Sequence, residues 1–278
     1  MTQSNRNNTP LVSTQWVAEH LNDPNVIIVE LNTDLAAGYN QAHIPGAAGW
    51  DVHVDIEDQL RRDVPNIAQF EQLMGRSGID NATTVVLYGD GRNRSATWAF
   101  WVLKYYSHSD VRLMNGGRDK WLADGLPTTT DLPARPARVY RAGAPDRSLR
   151  AMRDYVLQNL GNPSFKLLDT RTTEEFNGQS RPGHSESDIY RKGRIPGALH
   201  VPWDEAVGED GGFKPLEELR SLYAGFLPKQ EIISYCRLGI RASYSWFVLS
   251  QLLGYPRVRV YDGSWTEWGN SSGVPIER

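Results

Sequence analysis

The sequence predicts an α/β protein of two tandem domains, each a mainly parallel sheet flanked by helices. Three observations lead there. Strand-like and helix-like segments alternate along the chain, the pattern of βαβ units. The alternation is written twice: Tyr88 and Tyr235, Gly116 and Gly263, and Trp121 and Trp268 all stand 147 residues apart. The chain has 278 residues with 40% apolar side chains, which exceeds one small core and suits two domains. A period this long marks duplicated domains, because solenoid units run about 20–50 residues.

In the first half, Ser13 is placed to cap a helix running to Leu21. Val26 to Glu30 reads as a buried strand. Ile67, Phe70 and Met74 fall at i, i+3 and i+7, one face of a helix. Thr83 to Tyr88 is a β-branched strand, Ala96 to Tyr106 a helix and Val111 to Met114 another strand. The second half repeats the order with Phe165 to Asp169, Leu216 to Tyr223, Glu231 to Tyr235, Ala242 to Leu253 and Arg257 to Tyr261. Gly254 supplies a left-handed stop for the last long helix. His43-Ile44-Pro45-Gly46-Ala47 recurs as Arg194-Ile195-Pro196-Gly197-Ala198. The expected boundaries are a first domain over 11–127, a Pro-, Ala- and Arg-rich linker over 128–147, and a second domain over 148–278.

Composition narrows the function classes. A net charge of -3 gives no electrostatic footprint for nucleic acid. Met1 to Pro10 is polar, so no secretory signal is expected, and no window approaches the ~18 apolar residues of a membrane span. A single cysteine forms no internal disulfide. The expectation is a cytoplasmic protein in reducing surroundings, with no nucleic-acid or membrane partner and no cofactor. His43, His184 and His200 lack metal-ligand spacing, so no metal is expected.

The one cysteine, Cys236, follows the apolar run Ile232-Ile233-Ser234-Tyr235 and precedes Arg237-Leu238-Gly239-Ile240-Arg241 and a helix. Ligands on parallel sheets bind beyond the carboxyl ends of strands, and Cys236 stands at one. Backbone N–H groups at a helix start, together with Arg237 and Arg241, favour a thiolate there. A lone cysteine is more often a small buried apolar residue than a nucleophile; two arginines within five residues shift that balance. Gly239 suits a sharp turn or positive φ. In the first half Gly89 stands where Cys236 stands and Asp90 where Arg237 stands. That loop has no nucleophile and adds a negative charge, so the first domain reads as an inactive scaffold.

These residues carry a family resemblance. The duplicated halves, the Ile-Pro-Gly-Ala segments, Tyr235-Cys236-Arg237-Leu238-Gly239-Ile240-Arg241 and Tyr261-Asp262-Gly263-Ser264-Trp265-Thr266-Glu267-Trp268 resemble the tandem-domain rhodaneses, the thiosulfate and 3-mercaptopyruvate sulfurtransferases. The resemblance runs from about Leu11 to Ile276. It implies two rhodanese-like domains and a sulfur transfer through a persulfide on Cys236, from a small-molecule donor to cyanide, a thiol or a sulfur-accepting protein. Within the family the loop resembles the thiosulfate-using type. The mercaptopyruvate-using type usually carries Cys-Gly-Ser-Gly-Val-Thr, from which this chain departs at Arg237, Leu238, Ile240 and Arg241. Ile240 also stands where related loops usually carry glutamate. Arg237 is expected to meet the donor, and Arg241 to brace the loop against a carboxylate such as Asp169 or Glu174. Asp169 and Arg171 resemble a pair lining the site, with an internal ion pair as the equal alternative. Trp203, Trp265 and Trp268 either wall a pocket or fill core. The extra segment 178–193, with Arg191 and then Arg194, forms a rim over the site or a solvated loop. The nearest rival chemistry, cysteine phosphatase or arsenate reductase, uses five residues between Cys and Arg; here there are four. A sulfur-relay module shares the same thiol and stays open.

Overall fold

The computed structural model describes residues 9–58, 63–179 and 191–278. The chain separates into two compact units, 1–59 with 64–144, and 60–63 with 145–278. In unit 1 the elements are β1 (Leu11–Val12), α1 (Thr14–Glu19), β2 (Val26–Asn32), β3 (Ala48–Asp51), α2 (Val52–Asp55), α3 (Ile67–Arg76), β4 (Thr84–Gly89), α4 (Asp90–Tyr105), β5 (Val111–Met114) and α5 (Gly117–Ala123). The sheet order is β1-β5-β4-β2-β3 with every pairing parallel. All of β2 is buried, as expected of a parallel strand covered on both faces. Ser13 caps α1 by accepting from Trp16 N, and Asn66 and Gln69 close a capping box on α3. No helix or strand lies between Ala123 and Arg147; Thr129 pairs with His43 and Arg138 N donates to Gly75 O, fastening this stretch to unit 1.

Unit 2 contains α6 (Arg153–Gln158), β6 (Phe165–Asp169), α7 (Thr173–Phe176), β7 (Leu199–His200), α8 (Leu216–Leu222), β8 (Glu231–Tyr235), α9 (Ile240–Trp246), β9 (Val258–Val260) and α10 (Ser264–Asn270). Its sheet runs β7-β6-β8-β9, again all parallel. The helix expected from Ala242 begins at Ile240 and widens into a π-helical turn over Phe247–Leu252, closed by Leu253 N on Val248 O. Phe247, Val248 and Leu249 are all buried in that turn, and Gly254 ends it at φ 73°. Among the described residues no helix is long and apolar enough to cross a membrane.

The repeated motifs do the same work in each unit. Tyr88 Oη accepts from Ile44 N at 3.0 Å, and Tyr235 Oη accepts from Ile195 N at 3.2 Å. Each Ile-Pro-Gly-Ala segment is thereby tied to the strand that ends at the functional loop. The loops that follow differ. In unit 1, Gly91, Arg92 and Asn93 are all left-handed (φ 52°, 61° and 63°), interrupting α4 near its start. Gly89 has no room for a side chain, since a Cβ there would lie 2.6 Å from Leu31 O. Gly89→Cys in a Cys236→Ser background is therefore expected to show no sulfur transfer. Its urea unfolding should be weakened by about 1–3 kcal/mol, the range for overpacking a close-packed site.

Candidate active site

Strand β8 is buried along its whole length and delivers Cys236 to the carboxyl end of the sheet. The six residues from Cys236 to Arg241 turn the chain into α9. The turn needs Gly239: its φ is 91°, and a Cβ there would lie 3.0 Å from Asp262 Cα. Gly239 N–H donates to Cys236 Sγ at 3.1 Å. The sulfur also lies at the start of α9, where helix N–H groups favour negative charge. Cys236 is 1% exposed, so the sulfur sits on the floor of the loop, while Leu238 is 39% exposed above it. Arg237 and Ile240 are half-buried.

Arg241 is 7% exposed and its guanidinium is taken up by an ion pair. Its two terminal nitrogens donate to both oxygens of Glu175, at 2.7 and 2.9 Å. The partner is thus Glu175, correcting the expected Asp169 or Glu174. Glu175 is the third residue of α7, where it also closes a capping box on Thr172, and that cap aims its carboxylate inward. Burial raises the Glu175 pKa, but hydrogen bonds from Arg241, its charge and the Thr172 N–H outweigh burial and hold it at about 2. Burial lowers the Arg241 pKa; the Glu175 hydrogen bonds and the acidic groups of Cys236 and Glu175 nearby overcome this and raise it. The guanidinium stays charged beside the sulfur.

Asp169 and Arg171 form the internal ion pair, at 2.6 Å, and are 0% and 2% exposed. Arg171 also donates to Gly193 O and lies 4.5 Å over the Trp265 ring. Trp265 and Trp268 are buried core, and Trp203 is half-buried edge-on to Tyr244. Of the extra segment, residues 180–190, with Arg181, His184, Glu186 and Asp188, lie outside the described residues. Arg191 donates to the carbonyls of Trp268, Gly269, Ser271 and Val274, closing the carboxyl end of α10, and Arg194 pairs with Glu277. Both guanidinium groups are committed to the chain's own acceptors. Among the described residues no group of three or more His, Cys, Asp or Glu is arranged to hold a metal ion.

Sequence reasoning missed the residues that hold the loop from outside. Cys236 N–H donates to Ser264 Oγ at 3.1 Å. Trp265 N donates to Cys236 O, and Thr266 N and Oγ1 both donate to Arg237 O, at 3.1 and 2.7 Å. Under this segment Arg150 pairs with Asp262. The only signal in the sequence was two hydroxyl residues beside the repeated Gly263 and Trp268.

A thiol held by a main-chain donor, with a fixed guanidinium beside it at the mouth of a parallel sheet, is an arrangement suited to covalent sulfur chemistry. The Rhodanese-like domain matches residues 13–124 and 152–271, and the chain belongs to the rhodanese family of sulfurtransferases. It is 48% identical over 96% of its length to the sulfur carrier protein TtuD of Thermus thermophilus, covering 96% of that protein. It is 46% identical to a Saccharopolyspora erythraea protein whose provisional name is thiosulfate sulfurtransferase, covering 96% of this chain and 95% of that one. Among solved structures, the anaerobic ergothioneine biosynthesis enzyme of Chlorobium limicola with trimethyl histidine superposes with a TM-score of 0.87 at 26% identity, covering 100% of this chain and 72% of that one. A variant of EanB carrying ergothioneine covalently linked to a persulfide cysteine gives a TM-score of 0.85 at 26% identity, covering 96% of this chain and 70% of the other.

The Glu175 carboxylate has a depressed pKa in the folded state, so its contribution to stability is complete above its ordinary 4.5 and is lost as pH falls towards about 2. Urea midpoints measured across that window should fall steeply for the native chain and more gently for Glu175→Gln. At neutral pH the variant should be less stable by about 3–5 kcal/mol, the range for leaving one partner of a buried pair alone.

Proposed function

We propose that this chain moves a sulfane sulfur from thiosulfate to a thiophilic acceptor, cyanide or a thiol, through a persulfide on Cys236. The Cys236 thiolate attacks the outer sulfur of thiosulfate. A new S–S bond forms, the bond to the sulfonate sulfur breaks, and sulfite leaves with its electron pair. The acceptor then attacks the outer sulfur of the persulfide, and the Cys236 thiolate departs with the electrons of the S–S bond. This is covalent catalysis with ping-pong kinetics.

The reading rests most on one contact, the Gly239 N–H on Cys236 Sγ at 3.1 Å. An oriented donor of this kind is worth about 2.7–4 kcal/mol when it faces charge that develops in the transition state. Arg237, half-buried beside the cysteine, supplies the cation for the donor's sulfonate. The persulfide places its outer sulfur about 2 Å beyond Sγ, which carries the reactive atom off the floor of the loop. Arg241 is occupied by Glu175, so it is not presented to a tetrahedral phosphate or arsenate.

A second reading, delivery of the persulfide sulfur to a partner protein, is favoured by the exposed Leu238 in the active loop and by the relative named as a sulfur carrier. An apolar side chain at the mouth suits a protein surface better than a small hydrated anion. Mercaptopyruvate is the weaker donor candidate because the loop carries Arg237 and Leu238 where that type has Gly and Ser.

Incubation with thiosulfate is expected to add the mass of one sulfur atom to the peptide holding Cys236. Cys236→Ser should lose both this adduct and all transfer to cyanide while keeping its circular dichroism; retained transfer would refute the assignment. Arg237→Gly should raise KM for thiosulfate by roughly tenfold, the loss of about one charge-assisted contact. An unchanged ratio of kcat/KM for thiosulfate and mercaptopyruvate in that variant would show that Arg237 does not read the donor.

A further inference from the structure

The two units finish the same strand in different ways. In unit 1 the N–H of Gly89, the last residue of β4, donates to Asn93 Oδ1 at 3.0 Å, and Asn93 Nδ2 donates to Met114 O at 2.6 Å. Asn93 belongs to the loop itself. The chain folds back through three left-handed residues to bring its side chain to that N–H. In unit 2 the N–H at the matching position belongs to Cys236. Its acceptor is Ser264 Oγ, 28 residues further along, and the Ser264 hydroxyl donates onward to Tyr261 O at 2.7 Å.

The residue of unit 1 that matches Ser264 at the 147-residue spacing is Gly117. Its φ is 59°, and a Cβ there would lie 2.5 Å from Asn93 Oδ1. A side chain at this place and an amide reaching back from the loop therefore compete for one slot. In unit 2 the slot is taken from outside, and Asn93 has no counterpart folded into it. Ser264 itself holds φ 52°, a left-handed conformation that glycine adopts at less cost. What serine has there that glycine lacks is a hydroxyl on the nucleophile's own N–H.

The next two residues extend the grip. Trp265 N holds Cys236 O, and Thr266 N and Oγ1 hold Arg237 O. Among the described residues there are no cis peptide bonds, and across a trans peptide the C=O and the following N–H point in opposite directions. With both carbonyls turned to α10, the N–H groups of Arg237 and Leu238 are turned away from it.

We propose that Ser264, assisted by Thr266, is a positioning residue for sulfur transfer: it holds the peptide groups of Cys236 and Arg237 from outside the loop, keeping the loop open around the sulfur in place of the self-closed form of unit 1. The anion this loop accommodates is a thiolate and then a persulfide. The inference rests on Cys236 being the nucleophile, as proposed above, but not on the identity of the sulfur donor.

The test is Ser264→Gly, which installs the residue unit 1 carries, beside Ser264→Ala, Thr266→Val and Thr266→Ser. Iodoacetamide alkylation of Cys236 across a pH series needs no donor and reads the loop directly. Ser264→Gly strips the Cys236 N–H of its acceptor but relieves the left-handed backbone, so its thermal midpoint is expected to fall less than that of Ser264→Ala. The alkylation rate of Ser264→Gly at neutral pH should fall about tenfold, the effect of one lost hydrogen bond to the site, with the midpoint of the pH profile moved upward. Ser264→Ala should lose rate equally, Thr266→Val should lose part of it, and Thr266→Ser should restore it. Alkylation at the native rate with an unmoved profile in Ser264→Gly and Ser264→Ala would overturn the proposal. So would a loss of rate that only tracks a loss of thermal stability. Failure of thiosulfate to load the native chain would count against the functional reading alone, because the alkylation comparison does not depend on it.

Discussion

The site depends on where a buried strand finds partners for its last peptide groups. Strand β8 is buried throughout, so the N–H and C=O of Cys236 emerge where no water is at hand. A buried peptide group left without a partner costs about 1–3 kcal/mol. The start of α10 has the complementary problem, since the first N–H groups of a helix have no acceptor within it. Trp265 and Thr266 give those donors to the carbonyls of Cys236 and Arg237, and Ser264 takes the N–H of Cys236. One exchange caps the helix and holds the loop. At the far end the Arg241–Glu175 pair fixes where the loop enters α9.

A buried acid facing a guanidinium lies at each of these strand ends, built from different chain positions. Glu30 stands opposite Tyr88 in the sheet register, and Asp169 stands opposite Tyr235. In unit 1 the cation facing the acid is Arg118 of α5, at 2.8 Å from Glu30. In unit 2 it is Arg171, just past the strand, at 2.6 Å from Asp169. The position matching Arg118 at the repeat spacing is Trp265, whose ring stacks on Arg171. The two halves keep a guanidinium against the buried acid while drawing it from different elements.

Much of this was legible in the sequence, for physical reasons. Periodic burial is a local signal, so Ile67, Phe70 and Met74 marked α3 and the β-branched run before Gly89 marked β4. The repeat spacing of Tyr, Gly and Trp revealed the duplication because these residues occupy fixed places at strand ends and helix starts. Strands β1 (Leu-Val), β3 (Ala-Gly-Trp-Asp) and β7 (Leu-His) escaped notice: none carries the apolar alternation around an arginine that marked the equally short β5 and β9. The π-helical turn after α9 leaves no trace in a period of three to four residues. Partners across the fold were the least readable. Glu175 lies 66 residues from Arg241 and differs from Glu174 only in which way a short capped helix points it. Arg191 looked like a cation for the rim, but four carbonyls around the end of α10 claim it.

The left-handed run at Gly91, Arg92 and Asn93 has a consequence for how the two halves can diverge further. A thiol at position 89 collides with Leu31 O, a side chain at 117 collides with Asn93, and removing Asn93 alone strips the Gly89 N–H of its acceptor. Each exchange is unfavourable on its own. A side chain at the end of β4 would therefore require several coordinated changes in the surrounding backbone and loop, whereas charge and surface residues elsewhere in the first unit can be exchanged without touching them.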